Sequence, residues 1–165
     1  MAFLYKAFNG PSPTTAALAK VTTGTAIKTL MQIATPSTES LRIVEWGISF
    51  DGSAAATPIE VELIDTNVAA TVTAFVAADI VKLNAPNDVG TLMTLGTAAS
   101  GYTSTAEGTI TSARLLDYQL IAPTGQYIIQ YPLGREPAVA ASRFLRIRVT
   151  APAAVNAVAY ICWEE

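Results

Sequence analysis

The sequence predicts an all-β fold, a sandwich of about eight antiparallel strands in jelly-roll form. Three observations predict it. Short runs alternate apolar and polar side chains, the period of a half-buried strand. The runs are separated by clusters of Gly, Pro, Thr and Ala that carry turn chemistry. No stretch sustains the longer period of an amphipathic helix. At 165 residues the chain fits one domain, and a domain of this size buries about two-thirds of its unfolded surface without a covalent staple.

Residues 1–24 read as an extended N-terminal arm, or a strand leading into the domain, and residues 25–165 as the jelly-roll domain. The stretch 9–25, NGPSPTTAALAKVTTGT, has no lasting periodicity. Phe3, Leu4, Tyr5 and Phe8 gain by burial, so the arm is expected to dock on its own domain or on a neighbouring subunit. Ile27, Met31 and Ile33 alternate with Lys28 and Gln32, a first strand stopped by Thr35-Pro36-Ser37. Leu41 to Phe50 is the strongest strand. Val44, Trp46, Ile48 and Phe50 share one face, while Leu41 and Ile43 fall on the other, and this slip of phase predicts a bulge or sheet crossing near Ile43. Asp51-Gly52-Ser53 turns the chain. Ile59, Val61 and Leu63 alternate with Glu60 and Glu62, a strand with an acidic outer face.

Thr71 to Leu83 mixes strand and helix signals, with a short helical turn predicted near 74–82. The Gly/Thr/Ser/Ala-rich stretch 84–113 is long for a structureless loop. It is therefore read as holding short strands near 90–95 and 107–112, with Ser100-Gly101 as a turn. Leu115–Ile121, the Tyr127/Ile129/Tyr131/Leu133 alternation and the Leu145/Ile147/Val149 alternation are further strands, the last read as one-sided with Arg146 and Arg148 outside. Val155 to Trp163 is apolar on both faces, which places it centrally in a sheet or beneath a partner. An immunoglobulin-like sandwich is the rival architecture, but its Cys…Trp…Cys spacing is missing.

Composition narrows the chemistry. There is no histidine, so Ser/His/Asp, Cys/His and His-based metal sites are excluded. The single cysteine, Cys162, allows no intrachain disulfide and reads as a buried structural thiol. Glu60/Glu62 and Glu164/Glu165 are carboxylate pairs, with the solvated-face reading preferred to a glycosidase pair. Asp51, Asp65, Asp79, Asn84, Asn87 and Asp88 offer oxygens but not the spacing of a calcium loop. The segment GTAASG at 96–101 lacks the Lys-Ser/Thr of a phosphate loop. No catalytic, cofactor-binding or metal-binding residue is predicted, and no enzyme.

Tyr127 and Tyr131 share a strand face that suits a sugar platform, a core or an intersubunit face. A net charge of −3 disfavours nucleic acid. Arg135, Arg143, Arg146 and Arg148 form a late basic cluster that reads either as a solvated strand face or as a stripe meeting an acidic protein. The apolar start, Met1 to Phe8, is too short for a signal sequence. No apolar run reaches the roughly 20 residues of a membrane span, and synthesis in a cytoplasm is expected.

The segments Arg42–Gly52 (RIVEWGISFDG), Gln130–Pro137 (QYPLGREP), Phe144–Asn156 (FLRIRVTAPAAVN) and Tyr160–Glu165 (YICWEE) resemble small virion proteins of tailed bacteriophages that accompany the major capsid protein. The resemblance covers most of residues 25–165 and is to the capsid decoration (minor capsid) proteins. It implies a jelly roll, a homotrimer, the major capsid protein as partner, and a place on the capsid exterior at three-fold or quasi-three-fold positions. The implied mechanism is cementing, in which several weak contacts act together. Candidate capsid or intersubunit contacts are Phe3, Tyr5, Phe8, Arg135 and Arg143, with the loop 84–106. The alternative is a receptor- or glycan-binding jelly-roll module of a head fibre or tail tip.

Overall fold

The computed structural model describes residues 2–53 and 55–165. In chain order its strands are β1 (Leu4–Phe8), β2 (Val21–Thr22), β3 (Lys28–Ala34), β4 (Leu41–Asp51), β5 (Ile59–Thr66), β6 (Thr71–Ala74), β7 (Val81–Lys82), β8 (Gly101–Ala106), β9 (Ala113–Ile121), β10 (Gln126–Gln130), β11 (Ala138–Val139), β12 (Phe144–Thr150) and β13 (Asn156–Glu164). They build two antiparallel sheets. The first runs β10-β4-β13-β1-β7, with β11 extending the β10 side of β4 and β2 pairing with β13; the second runs β6-β8-β3-β12-β5-β9. The expected all-β, two-sheet architecture is therefore present.

The core lies between the sheets. From the first come Tyr5, Ala7, Trp46, Ile48, Ala159, Ile161 and Trp163; from the second come Leu30, Ile33, Val61, Leu63, Leu145, Ile147 and Val149. Each large aliphatic side chain taken out of water contributes about 1.5–3 kcal/mol, which offsets the ordering of a chain that has no cross-link.

β13 is central, held between β4 and β1, as its two apolar faces predict. The bulge predicted near Ile43 is also there. The partner of β4 passes from Glu45 opposite Cys162 to Ile43 opposite Trp163, skipping Val44. That extra residue lets Leu41 and Ile43 point into the same core as Trp46 and Ile48.

Five expectations are corrected. The segment expected as an arm starts as an inner strand: Leu4–Phe8 pairs with β13 on one side and β7 on the other, and β2 pairs with β13 as well. Its aromatic rings explain this, because a strand that buries Tyr5 gains more than a tether in water. The strand placed near 107–112 lies instead at 101–106. Gly101, read as a turn, is there for close strand approach: an added Cβ would strike the Thr73 carbonyl and come within 2.6 Å of Val72 Cγ2. The stretch 90–95 forms only isolated bridges, Ala34 to Thr94 and Leu95 to Ser100. Finally, β12 is not one-sided, because Arg146 is fully buried. The helical turn predicted near 74–82 is a single 3₁₀ turn, Ala77–Asp79, between β6 and β7.

Candidate interaction surfaces

The outer face of the second sheet is closed over its centre by the protein's own chain. Arg146 projects there from β12. Its Nε and Nη2 donate to Thr29 Oγ1 at 3.0 and 2.6 Å, and its Nη1 donates to the carbonyls of Val68 and Glu107 at 3.3 and 3.2 Å. Nη2 also ion-pairs with the Glu107 carboxylate. Glu107 accepts from Thr29 N, Thr29 Oγ1 and Ser104 Oγ. Beside it, buried Gln32 accepts from Ala70 N at 2.8 Å and donates to Ala99 O. Burial by itself raises the Glu107 carboxyl. The hydrogen bonds from Ser104 and Thr29 and the Arg146 charge outweigh it, so its pKa falls below the ordinary 4.5.

The outer face of the first sheet is open. Strand register sets Phe8, Tyr160, Gly47 and Ile128 in one row across β1, β13, β4 and β10. The next row holds Lys6, Cys162, Glu45 and Gln130. The Phe8 and Tyr160 rings lie 5.8 Å apart, and Lys6 Nζ sits 3.8 Å from the Tyr160 ring centroid. Tyr160 donates its hydroxyl to Glu45 Oε1 at 2.5 Å. Burial, with Glu45 as acceptor, holds this phenol above its ordinary pKa. Gly47 makes room for the row, because a Cβ there would come within 2.8 Å of the Tyr160 ring and 3.0 Å of Ile128. A shallow hollow of about 200 Å³ opens among Phe8, Ser49, Gln126, Ile128, Val158 and Tyr160. Phe8, Val158 and Tyr160 are half-buried, and Ile128 is 55% exposed. Cys162 beneath is buried, its thiol pushed up to about 11 by burial and then by Glu45, so it stays a neutral thiol at physiological pH.

Of the predicted contact residues, Phe8 lies on this open face. Phe3 is half-buried against the core, its backbone paired with Glu165. Tyr5 is only 1% exposed: its ring stacks on Trp163 at 5.9 Å and its hydroxyl donates to Val89 O. Tyr5 is a core residue in this fold, because successive strand residues face opposite ways and Phe8 and Tyr5 are odd in spacing.

The basic cluster does not form a stripe. Arg143 donates from Nε to Asp65 Oδ1 at 2.7 Å, Arg146 pairs with Glu107, and Arg148 pairs with Glu62. Each is matched to its own carboxylate, so three of the four arginines serve the fold. Arg135 is exposed on the turn Pro132–Arg135 and has no carboxylate partner among the described residues.

The other candidate groups also have local partners. Asp79 accepts from Ser12 N and Val76 N, Asn84 from Leu4 N, and Asp88 from Ala85 N. Asp51 pairs with Lys20, and Asp65 with Arg114 and Arg143. The Glu165 carboxylate receives Thr91, Leu92 N and Trp163 Nε1. Tyr127 faces inward, its ring 5.3 Å from Trp46 and its hydroxyl donating to Asp117, so it offers no sugar platform. Among the described residues, no group of three or more Cys, Asp or Glu side chains converges in a way that holds a metal ion.

Sequence reasoning missed the Arg146–Glu107–Thr29 network, whose members lie far apart in the chain. It found the open face only in part, through the double-sided apolar pattern of residues 155–163. Comparison with protein-family models, curated proteins and solved structures finds no match to this chain.

Proposed function

We propose that this chain is a structural virion protein, a jelly-roll capsid decoration protein. In this reading it binds the outside of a tailed-phage head as a homotrimer and cements contacts between major capsid subunits. The observation that carries the reading is the open outer face of the first sheet. Its row Phe8–Tyr160–Gly47–Ile128 is aromatic and aliphatic, framed by one cation, Lys6, and one carboxylate, Glu45. A rigid strand face of this kind suits broad, shallow contact with another protein: the rings give area at low entropic cost, and the two charges set orientation. The resemblance of the segments 42–52, 130–137, 144–156 and 160–165 to phage decoration proteins gives the partner. Repeated weak contacts from several copies then act together on the shell.

The test adds purified protein to undecorated heads of the cognate phage. Saturable binding with a gain in heat or chelator resistance is expected, and Phe8→Glu is expected to lower affinity at least tenfold while the fold is kept. Binding to host cells or glycans without binding to heads overturns the cement reading in favour of a receptor-binding module.

A further inference from the structure

A leucine stands exposed at one edge of the first sheet, and a largely apolar groove lies at the other edge. Leu133 is 96% exposed. It sits on a tight turn closed by Arg135 N donating to Pro132 O at 2.9 Å, with Gly134 at φ +81. That geometry is a type II turn, which needs glycine at its third position and holds the second residue outward. The turn leaves the sheet beside β10, the edge strand. An apolar side chain held in water on a rigid turn has a cost with no return inside its own subunit.

The opposite edge is β7. There a groove of about 600 Å³ is lined by Ala78, Ile80, Val81, Pro86 and Leu95, with Lys82 in its wall. The same stretch of chain exposes Val76, Val81, Leu83, Val89 and Leu92, so the groove lies in the most apolar exposed region of the molecule. One pair of opposite charges flanks the two sides. Arg135, two residues beyond the leucine, has no carboxylate partner among the described residues. Asp88, two residues beyond Pro86, has no cation on its carboxylate among them, since Lys82 Nζ is turned to the Asp88 main-chain oxygen.

We infer that the Pro132–Arg135 turn of one copy seats Leu133 in the Ile80/Val81/Pro86/Leu95 groove of the next copy, with Arg135 facing Asp88. Knob and groove lie on opposite edges of one sheet, so they cannot meet within one chain. The contact is head-to-tail, and copies related this way close into a ring when the rotation allows. The inference rests on the reading of the chain as an assembled structural protein and names the contact that assembles it.

Two measurements test it. The first is mass by light scattering. Wild-type protein is expected as a closed oligomer, and Leu133→Asp is expected at the 17.3 kDa monomer mass with unchanged circular dichroism. The second mixes Leu133→Cys protein with Ala78→Cys protein under mild oxidant. A disulfide-linked pair carrying one chain of each kind is expected. A monomeric wild type, an oligomeric Leu133→Asp, or a cross-link only between two Leu133→Cys chains overturns the contact. Head binding is scored separately. A monomer that still cements heads refutes this contact alone, whereas a ring that binds no heads refutes the cement reading alone.

Discussion

The two outer faces of the sandwich solve opposite problems. Over the second sheet a fully buried guanidinium stands at the centre, and the chain spends the segments around Val68–Ala70 and Glu107 covering it. Over the first sheet the centre is a row of rings and aliphatic groups left partly open among the described residues. The difference follows from what each centre demands. A buried charge must have every donor satisfied within the fold. An apolar row makes no such demand on the folded monomer, and it gains when another surface excludes the remaining water. The face over the second sheet is therefore sealed by its own chain, while the face over the first stays open and, in the proposed reading, receives a partner.

The sharpest way to break that comparison is Arg146→Ala. It leaves Glu107 and Thr29 without their cation and opens a void under the cover, so a loss of about 3–5 kcal/mol is expected. Urea unfolding midpoints measure it. Phe8→Glu on the open face is expected to leave the midpoint near wild type, since Phe8 is only half-buried. Similar losses from the two variants mean that the faces do not differ in the way argued.

Gly101→Ala comes next. The added methyl group meets the Thr73 carbonyl across β6 and β8, and strand backbones yield poorly, so a loss of about 2–3 kcal/mol is expected. Gly47→Ala meets the Tyr160 ring edge and Ile128 most closely, with the Tyr127 carbonyl at 3.1 Å against 2.2 Å for the Thr73 carbonyl at Gly101, so the cost is lower. Its effect is expected in head affinity rather than in the unfolding midpoint.

Much of the architecture could be read from alternation. The two-sheet class, the bulge beside Ile43 and the acidic outer side of β5 follow from which residues repeat every second position, and the central β13 follows from its two apolar faces. What alternation hides is cover. Arg146 sits at an outward position of β12, and its sequence neighbours give no sign that residues 68 and 107 close over it. Its partner Glu107 falls at the start of the strand expected over 107–112, in a stretch too long to read as a structureless loop. Gly101 carries the same ambiguity, since a glycine that allows close backbone approach and one that turns the chain look alike in sequence. Tyr5 and Phe8 are alike in chemistry, while the strand's two-residue period sends one into the core and the other to the surface. The candidate site was legible only as an apolar surplus on β13. The row across four strands depends on register, which no local pattern fixes.

Acid sharpens the contrast by a smaller amount. A carboxyl whose folded pKa is depressed contributes stability that is fully present above its unfolded pKa and is lost as pH falls through the folded value. Glu107 is such a group. The sealed face is thus expected to lose stability as the pH is lowered from about 4.5, followed by unfolding at fixed urea across a pH series. Ser104→Ala removes one of the bonds that hold this carboxyl down and shrinks that acid loss. Phe8→Glu leaves the Glu107 part of the profile in place.

The smallest effect is expected from Tyr160→Phe. The variant keeps the ring under Lys6 and beside Phe8, and it removes only the hydroxyl given to Glu45. Glu45 lies on a face that water still reaches in part, so it regains a solvent partner and the stability loss is about 1 kcal/mol. Head affinity is expected to stay within a few-fold of wild type, because contact area and the Lys6 charge are unchanged. Tyr160→Ala deletes the ring from the centre of the row and is expected to lose head binding together with Phe8→Glu. If Tyr160→Phe weakens head binding as much as Tyr160→Ala does, the face works through the Glu45-bound hydroxyl and not through its apolar row, and the contrast drawn between the two faces is lost.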